Sequence, residues 1–198
     1  SIDEYSNDII DFIDAMDLKN VCLVGHSMGA AIALNASLSH HWRICSVVAI
    51  GGASKMIVND AILEGLQNTF EATVDSIVKY SWHKKTGAIA DSQLMAVYFR
   101  EKAKQRILDA GSKTVHGDFL ACSRFDLSER LGEIAFPVLV IASDCDRMVP
   151  LNVSWEMAEI LKESYFVSLE NCGHFQHIEQ AGKVAGELVI FLSKIQHT

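Results

Sequence analysis

Apolar residues recur at helical spacing from the start of the chain. Ile9, Ile10, Phe12, Ile13 and Met16 alternate with Asp3, Glu4, Asp8, Asp11 and Asp14, the stripe of an amphipathic helix over 2–16. The pattern then changes to an unbroken β-rich run, Val21-Cys22-Leu23-Val24, which predicts a short strand buried on both faces. Similar runs are Cys45 to Ile50, closed by Gly51-Gly52, Val138 to Ala142 behind Phe136-Pro137, and Tyr165 to Leu169. Small residues over 30–37 and periodic stretches over 150–163 and 177–195 predict helices between and after these strands. Strands alternating with helices imply βαβ units. The expected fold class is therefore α/β, a mostly parallel sheet with helices on both faces.

The stretch from Ser54 to Gly132 breaks that alternation. Ile62, Leu63, Leu66, Phe70, Val74, Ile77 and Val78 fall at helical spacing, and a charged helix is predicted over 91–109. So much helix between two strands exceeds what a crossover needs, and such insertions commonly form lids. The expected organisation is a core of 1–53 and 133–198 with a helical cap over 54–132.

Chemistry enters where the first strand ends. Gly25-His26-Ser27-Met28-Gly29 fits G-x-S-x-G, a sharp strand-to-helix turn that forces the serine into a strained conformation with its hydroxyl projecting. Glycines on either side are expected to leave room where a Cβ would collide. The Met28 N–H, opening the next helix, is aimed where an oxyanion would form. A serine hydroxyl needs a base, and the base needs an orienting carboxylate. The strand over 138–142 runs into Ser143-Asp144-Cys145-Asp146-Arg147-Met148-Val149-Pro150, and the strand over 165–169 into Glu170-Asn171-Cys172-Gly173-His174-Phe175. Both loops leave the C-terminal ends of strands, where open α/β sheets place ligands, so Ser27, an acid-loop aspartate and His174 can converge.

The elbow over 25–29, the run Asp146-Arg147-Met148-Val149-Pro150, and Gly173-His174-Phe175 followed by Glu179 together resemble the α/β-hydrolase fold superfamily. The likeness is nearest to its small esterase-like members with a helical cap. It runs through nearly the whole chain and is weakest across the insertion. It implies Ser27 as nucleophile, His174 as general base, Met28 as an oxyanion donor through its backbone N–H, and Asp146 rather than Asp144 as the acid, because the family places the acid four residues before the loop proline. Ser143 stands where many relatives have glycine. The haloalkane dehalogenase branch is disfavoured, since it carries a carboxylate where Ser27 stands. His26 neighbours the nucleophile and points elsewhere, and His177 reads as a surface or capping residue of the last helix. His83 and His116 fall in the insertion. Trp82, Met95, Tyr98, Phe99 and Phe119 are its candidate substrate contacts.

Family members run further upstream, where a loop supplies a second oxyanion N–H. The chain accordingly resembles the C-terminal portion of such a fold, with the strand over 21–24 expected to pair with a missing N-terminal segment or with a second copy.

Charge narrows the partners. Lys and Arg total 17 against 25 Asp and Glu, a net charge of −8, which argues against nucleic acid and anionic membrane surfaces. No membrane span or secretory signal is visible. Five scattered cysteines form no C-x-x-C pair and read as reduced thiols of a cytoplasmic protein. Adjacent His40 and His41 point apart and make a poor metal site, and no cofactor or metal is expected. The expected activity is acyl transfer on a small, mostly apolar carboxylic ester. A ligand-sensing homologue with little turnover, or an inactive fragment, are the alternatives. The same triad and fold also serve thioester, lactone, carbon–carbon and haloperoxidase chemistry, among which the fold does not choose.

Overall fold

The computed structural model describes residues 1–38, 42–83 and 93–195, and the side chains of all these except 93–96. His40 and His41 lie outside the described residues. Ser1 caps the first helix, its hydroxyl accepting from the Glu4 N–H while the Glu4 carboxylate reaches back to the Ser1 amine. That helix, α1 (Ile2–Ala15), leads into β1 (Val21–His26), α2 (Met28–Leu38) and β2 (Ile44–Ile50). After a long insertion come β3 (Val138–Ser143), α7 (Leu151–Ile160), β4 (Ser164–Leu169), a short α8 (Gln176–Glu179) and α9 (Ala181–Ile195). The four strands are parallel in the order β1-β2-β3-β4, with Gly25 opposite Ala49, Val48 opposite Leu139, and Ile141 opposite Val167.

Alternation along the strands divides the core into two layers. Val47, Ala49, Val138 and Val140 pack with Leu34 of α2, Met157 of α7 and Ile2 of α1. Val48, Ile50, Leu139 and Ile141 face the other way, onto Val184 and Phe191 of α9. The expectation for β1 needs correction: it is only half-buried, and Val24 is 52% exposed. Cys22 of this strand still packs against the layer of Val184 and Phe191, while Val24 stands open at the sheet edge. The stretch over 177–195 is likewise two helices, not one. Gln180 leaves helical geometry (φ −133°, ψ 48°) while its buried carboxamide donates to the Glu170 carbonyl at 2.6 Å.

Between β2 and β3 lie α3 (Asp60–Asn68), α4 (Phe70–Ser81), α5 (Gln93–Ala110) and α6 (Ser112–Ser123). They build their own apolar cluster from Leu66, Val74, Ile77, Val78 and Val115. The chain leaves and returns through one paired neck. Lys55 bridges Asp126, the Leu127 N–H donates to the Ser54 carbonyl at 2.8 Å, and the Met56 N–H to that of Phe125 at 3.3 Å. No helix among the described residues is long and apolar enough to cross a membrane. The five thiols are free, and burial pushes those of Cys122 and Cys172 up to about 12.

At the turn out of β1, Ser27 sits at φ +54°, its N–H donating to the Ile50 carbonyl at 2.9 Å. The two flanking glycines are not equivalent, contrary to the expectation. A Cβ on Gly25 would lie 2.1 Å from the Gly29 carbonyl oxygen, whereas one on Gly29 would meet nothing within 4 Å. The crowding falls on the backbone of Gly29, and only Gly25 must lack a side chain.

Two outcomes are expected. Gly25→Ala should cost more than about 3 kcal/mol or prevent folding, because backbone must move. Gly29→Ala, inside a helix, should be neutral or stabilising by up to about 1 kcal/mol. Equal destabilisation in thermal unfolding would contradict this reading. Among the described residues β1 pairs only with β2, so its other edge offers free backbone groups beside the exposed Val24. The 198-residue chain alone is expected to show a concentration-dependent mass by light scattering, reduced in Val24→Lys. A strict monomer at every concentration would contradict it.

Candidate active site

β1 and β4 lie at opposite edges of the sheet, three strand spacings or about 14 Å apart. A serine after β1 and a histidine after β4 therefore meet only if the last loop folds back over β3 and β2. Gly51, at the end of β2, clears that path. Its φ is +55°, and a Cβ there would stand 3.3 Å from His174 Cε1 and 3.1 Å from Gln176 Oε1. The returning loop reaches β1, where His26 Nε2 meets the His174 carbonyl at 2.7 Å. A carbonyl only accepts, so His26 carries its proton on Nε2. Burial, then the nearby His174 and His177, push His26 down to about 3, which keeps it neutral.

The acid loop supplies the anchor for the imidazole. Asp146 is buried, and its Oδ1 accepts from the Met148 and Val149 N–H groups at 2.8 and 2.9 Å. Its Oδ2 takes His174 Nδ1 at 2.7 Å. With Gln176 also donating to Oδ2, both oxygens act as acceptors. Nδ1 of His174 therefore carries a proton, and in the neutral ring Nε2 keeps its lone pair. His174 is tied a third time, its N–H donating to the Ser81 carbonyl at 2.7 Å. Asp144, the other acid in this loop, is exposed and accepts from the Cys172 N–H at 3.4 Å.

The structure thus joins Asp146 and His174 and places Ser27 at the elbow, half-buried. The Ser27 hydroxyl makes no hydrogen bond to His174 among the described residues. Met28 is the first residue of α2, where N–H groups have no intrahelical acceptor, leaving its amide free for an anion. No group of three His, Cys, Asp or Glu side chains among the described residues could hold a metal ion. A cleft of about 310 Å³ opens beside the acid loop, lined by Trp82, His83, Asp144, Cys145, Asp146 and Arg147. Neither Ser27 nor His174 lines it, so it is not the chamber these two would share.

The insertion is bonded directly to the histidine loop. Besides the Ser81–His174 bond, the buried Glu179 carboxylate accepts from the His83 N–H at 3.0 Å and the Phe175 N–H at 3.3 Å. Gly173 makes this approach possible, since a Cβ there would lie 2.5 Å from the His83 nitrogen. Of the aromatic candidates, Trp82 is brought to the histidine loop, stacked on Phe175 with ring centres 4.9 Å apart. Tyr98 and Phe99 are exposed and pack edge-to-face on each other, while Phe119 packs in the insertion's apolar cluster, which Met148 and Phe175 also join. The Met95 side chain lies outside those described. His116 meets Gln67 at 3.0 Å, away from the site. His177 is exposed, as a surface residue would be, but it sits on α8 and not on the last helix, with its ring 4.5 Å from that of His26, and partial desolvation followed by His174 lowers its pKa. Sequence reasoning passed over Gln176 and the structural roles of Phe175 and Glu179. Gln176 gives no signal because its partners, Ser143 and Asp146, stand 33 and 30 residues away.

Comparisons with known proteins agree with this architecture. The family model described as alpha/beta hydrolase fold matches residues 1–181. The chain is 27% identical over 191 residues to a 2-hydroxy-6-oxononadienedioate/2-hydroxy-6-oxononatrienedioate hydrolase of Paraburkholderia xenovorans, covering 91% of this chain and 65% of that protein. It is 28% identical over 202 residues to a putative carbamate hydrolase of Agrobacterium fabrum, covering 100% and 76%. Among solved structures, a thermophilic esterase superposes with a TM-score of 0.85 at 26% identity, covering 98% of this chain and 74% of the esterase. The chain thus spans about two thirds to three quarters of the length of these proteins. With most of its length matched by the family model, this chain belongs to the α/β-hydrolase fold family.

Proposed function

We propose that this chain carries the catalytic apparatus of a serine hydrolase acting by acyl transfer on a small, mostly apolar carboxylic ester. The observation that carries the reading is the His174–Asp146 pair, held at 2.7 Å at the same C-terminal end of the strands as a serine in a strained elbow. In this mechanism Ser27 Oγ attacks the ester carbonyl as His174 Nε2 takes its proton. The Met28 N–H receives the developing oxyanion, and the imidazolium, steadied by Asp146, protonates the departing alkoxide. Water, deprotonated by the same nitrogen, then releases the acid from Ser27. Rotation of the Ser27 side chain brings its hydroxyl to His174, a tightening that free enzymes commonly leave to the bound complex. The stacked Trp82 and Phe175 favour an apolar substrate, and the four-helix insertion serves as its lid. An oxyanion hole with one donor in place of two loses about 10² to 10³ in turnover, so the Met28 N–H acting alone predicts low rates.

A second reading, a ligand sensor, draws on the bonds between the insertion and the histidine loop. Movement of α4 would pull on the His174 backbone through Ser81, coupling lid position to the base. Hydrolysis of p-nitrophenyl acetate and butyrate separates the two. Steady turnover that falls by about 10⁴ or to background in Ser27→Ala, His174→Ala and Asp146→Asn supports the enzyme. One stoichiometric burst without turnover supports the sensor. Turnover undiminished in Ser27→Ala would contradict both.

A further inference from the structure

Gln176 is completely buried, and its carboxamide spans the acid and the base. Its nitrogen lies 3.1 Å from Asp146 Oδ2 and 3.0 Å from Ser143 Oγ. The orientation follows from its partners. Ser143 donates its hydroxyl proton to the Gly173 carbonyl at 2.6 Å, so toward Gln176 it offers only a lone pair. Asp146 is an acceptor throughout. Both neighbours require a donor, so the nitrogen faces them and both its protons are used. The carboxamide oxygen is left buried with no hydrogen-bond partner, beside Gly51 and in the same crowded spot as His174 Cε1. Desolvating an amide oxygen without a partner is unfavourable, so apolar packing alone does not account for glutamine here.

We propose that Gln176 is a positioning residue of the Asp146–His174 pair, sharing Oδ2 with the imidazole and thereby setting how strongly Asp146 holds a proton on His174. This rests on the hydrolase reading only for its catalytic consequence. The N–H of Gln176 draws charge from the oxygen that stabilises the imidazolium. With that donor present, Oδ2 attracts the Nδ1 proton of His174 less strongly than it would alone. The titratable and charged groups around the pair are His26 on β1 and His177 on α8 beside the ring, Asp144, Cys145 and Arg147 in the acid loop, and Glu179 and His83 where the insertion meets the histidine loop. Substitution at Gln176 removes its own contact with Asp146 Oδ2 and leaves the His174 Nδ1 contact in place.

The test is the titration of the His174 ring by NMR, together with the acid limb of the kcat/KM profile for p-nitrophenyl butyrate. Gln176→Leu removes the donor, and Gln176→Glu keeps the size while turning a carboxylate toward Asp146. In both, the His174 midpoint should rise, by about 0.5–1 unit in Gln176→Leu and further in Gln176→Glu. Activity at pH 7 should fall about 3- to 10-fold through kcat, with KM little changed, and recover as pH is raised. A role in packing alone would loosen the pair and lower the midpoint. An unchanged or lowered midpoint in both variants overturns the proposal. The NMR readout needs no turnover, so a chain without esterase activity, which would count against the hydrolase reading, still tests Gln176.

Discussion

The site depends on one carboxylate. Asp146 accepts from the backbone of Met148 and Val149, from the imidazole of His174 and from the carboxamide of Gln176, all within 3.1 Å. An ionised group can be buried this deeply only when donors replace the water it has lost. Here every replacement is also a positional constraint. The two backbone donors fix the acid loop after β3, the imidazole fixes the loop after β4, and the carboxamide fixes α8. Without the anion, three segments separated along the chain lose the centre around which they are arranged.

The sheet sets the distance this arrangement has to bridge. Parallel order places the serine and histidine strands at opposite edges, so the last loop must cross the ends of β3 and β2. Gly51 removes the side chain that would block the crossing, and the bond from His26 to the His174 carbonyl secures the far end. The insertion adds a third attachment through Ser81 and Glu179, with Gly173 yielding the space for it. His174 is thus tied to the sheet, to the acid loop and to the helices above, which makes its backbone the point where movement of any of them would be felt.

What could be read from the chain was local in origin. Four apolar runs marked four strands, and the two loops downstream of the elbow marked Asp146 and His174, which the structure joins at 2.7 Å. What escaped was decided by neighbours distant in sequence. Val21 to Val24 reads as a fully buried strand because composition cannot tell an edge from a centre. The break at Gln180 follows from a bond to Glu170, and Gln176 from two partners some thirty residues away. Aromatic residues on the insertion could be named but not sorted, since helical spacing does not say which face meets the core. Trp82, at the end of α4, stacks on Phe175 of the histidine loop.

The most direct measurement is the mapping, by peptide mass spectrometry, of the adduct formed by a fluorophosphonate. This reagent reports a nucleophilic serine backed by a base and does not require deacylation. A single phosphonyl group on the peptide containing Ser27, absent in Ser27→Ala and formed far more slowly in Asp146→Ala, is the predicted result. Adduct on another residue, or labelling that survives loss of the Ser27 hydroxyl, would contradict the account.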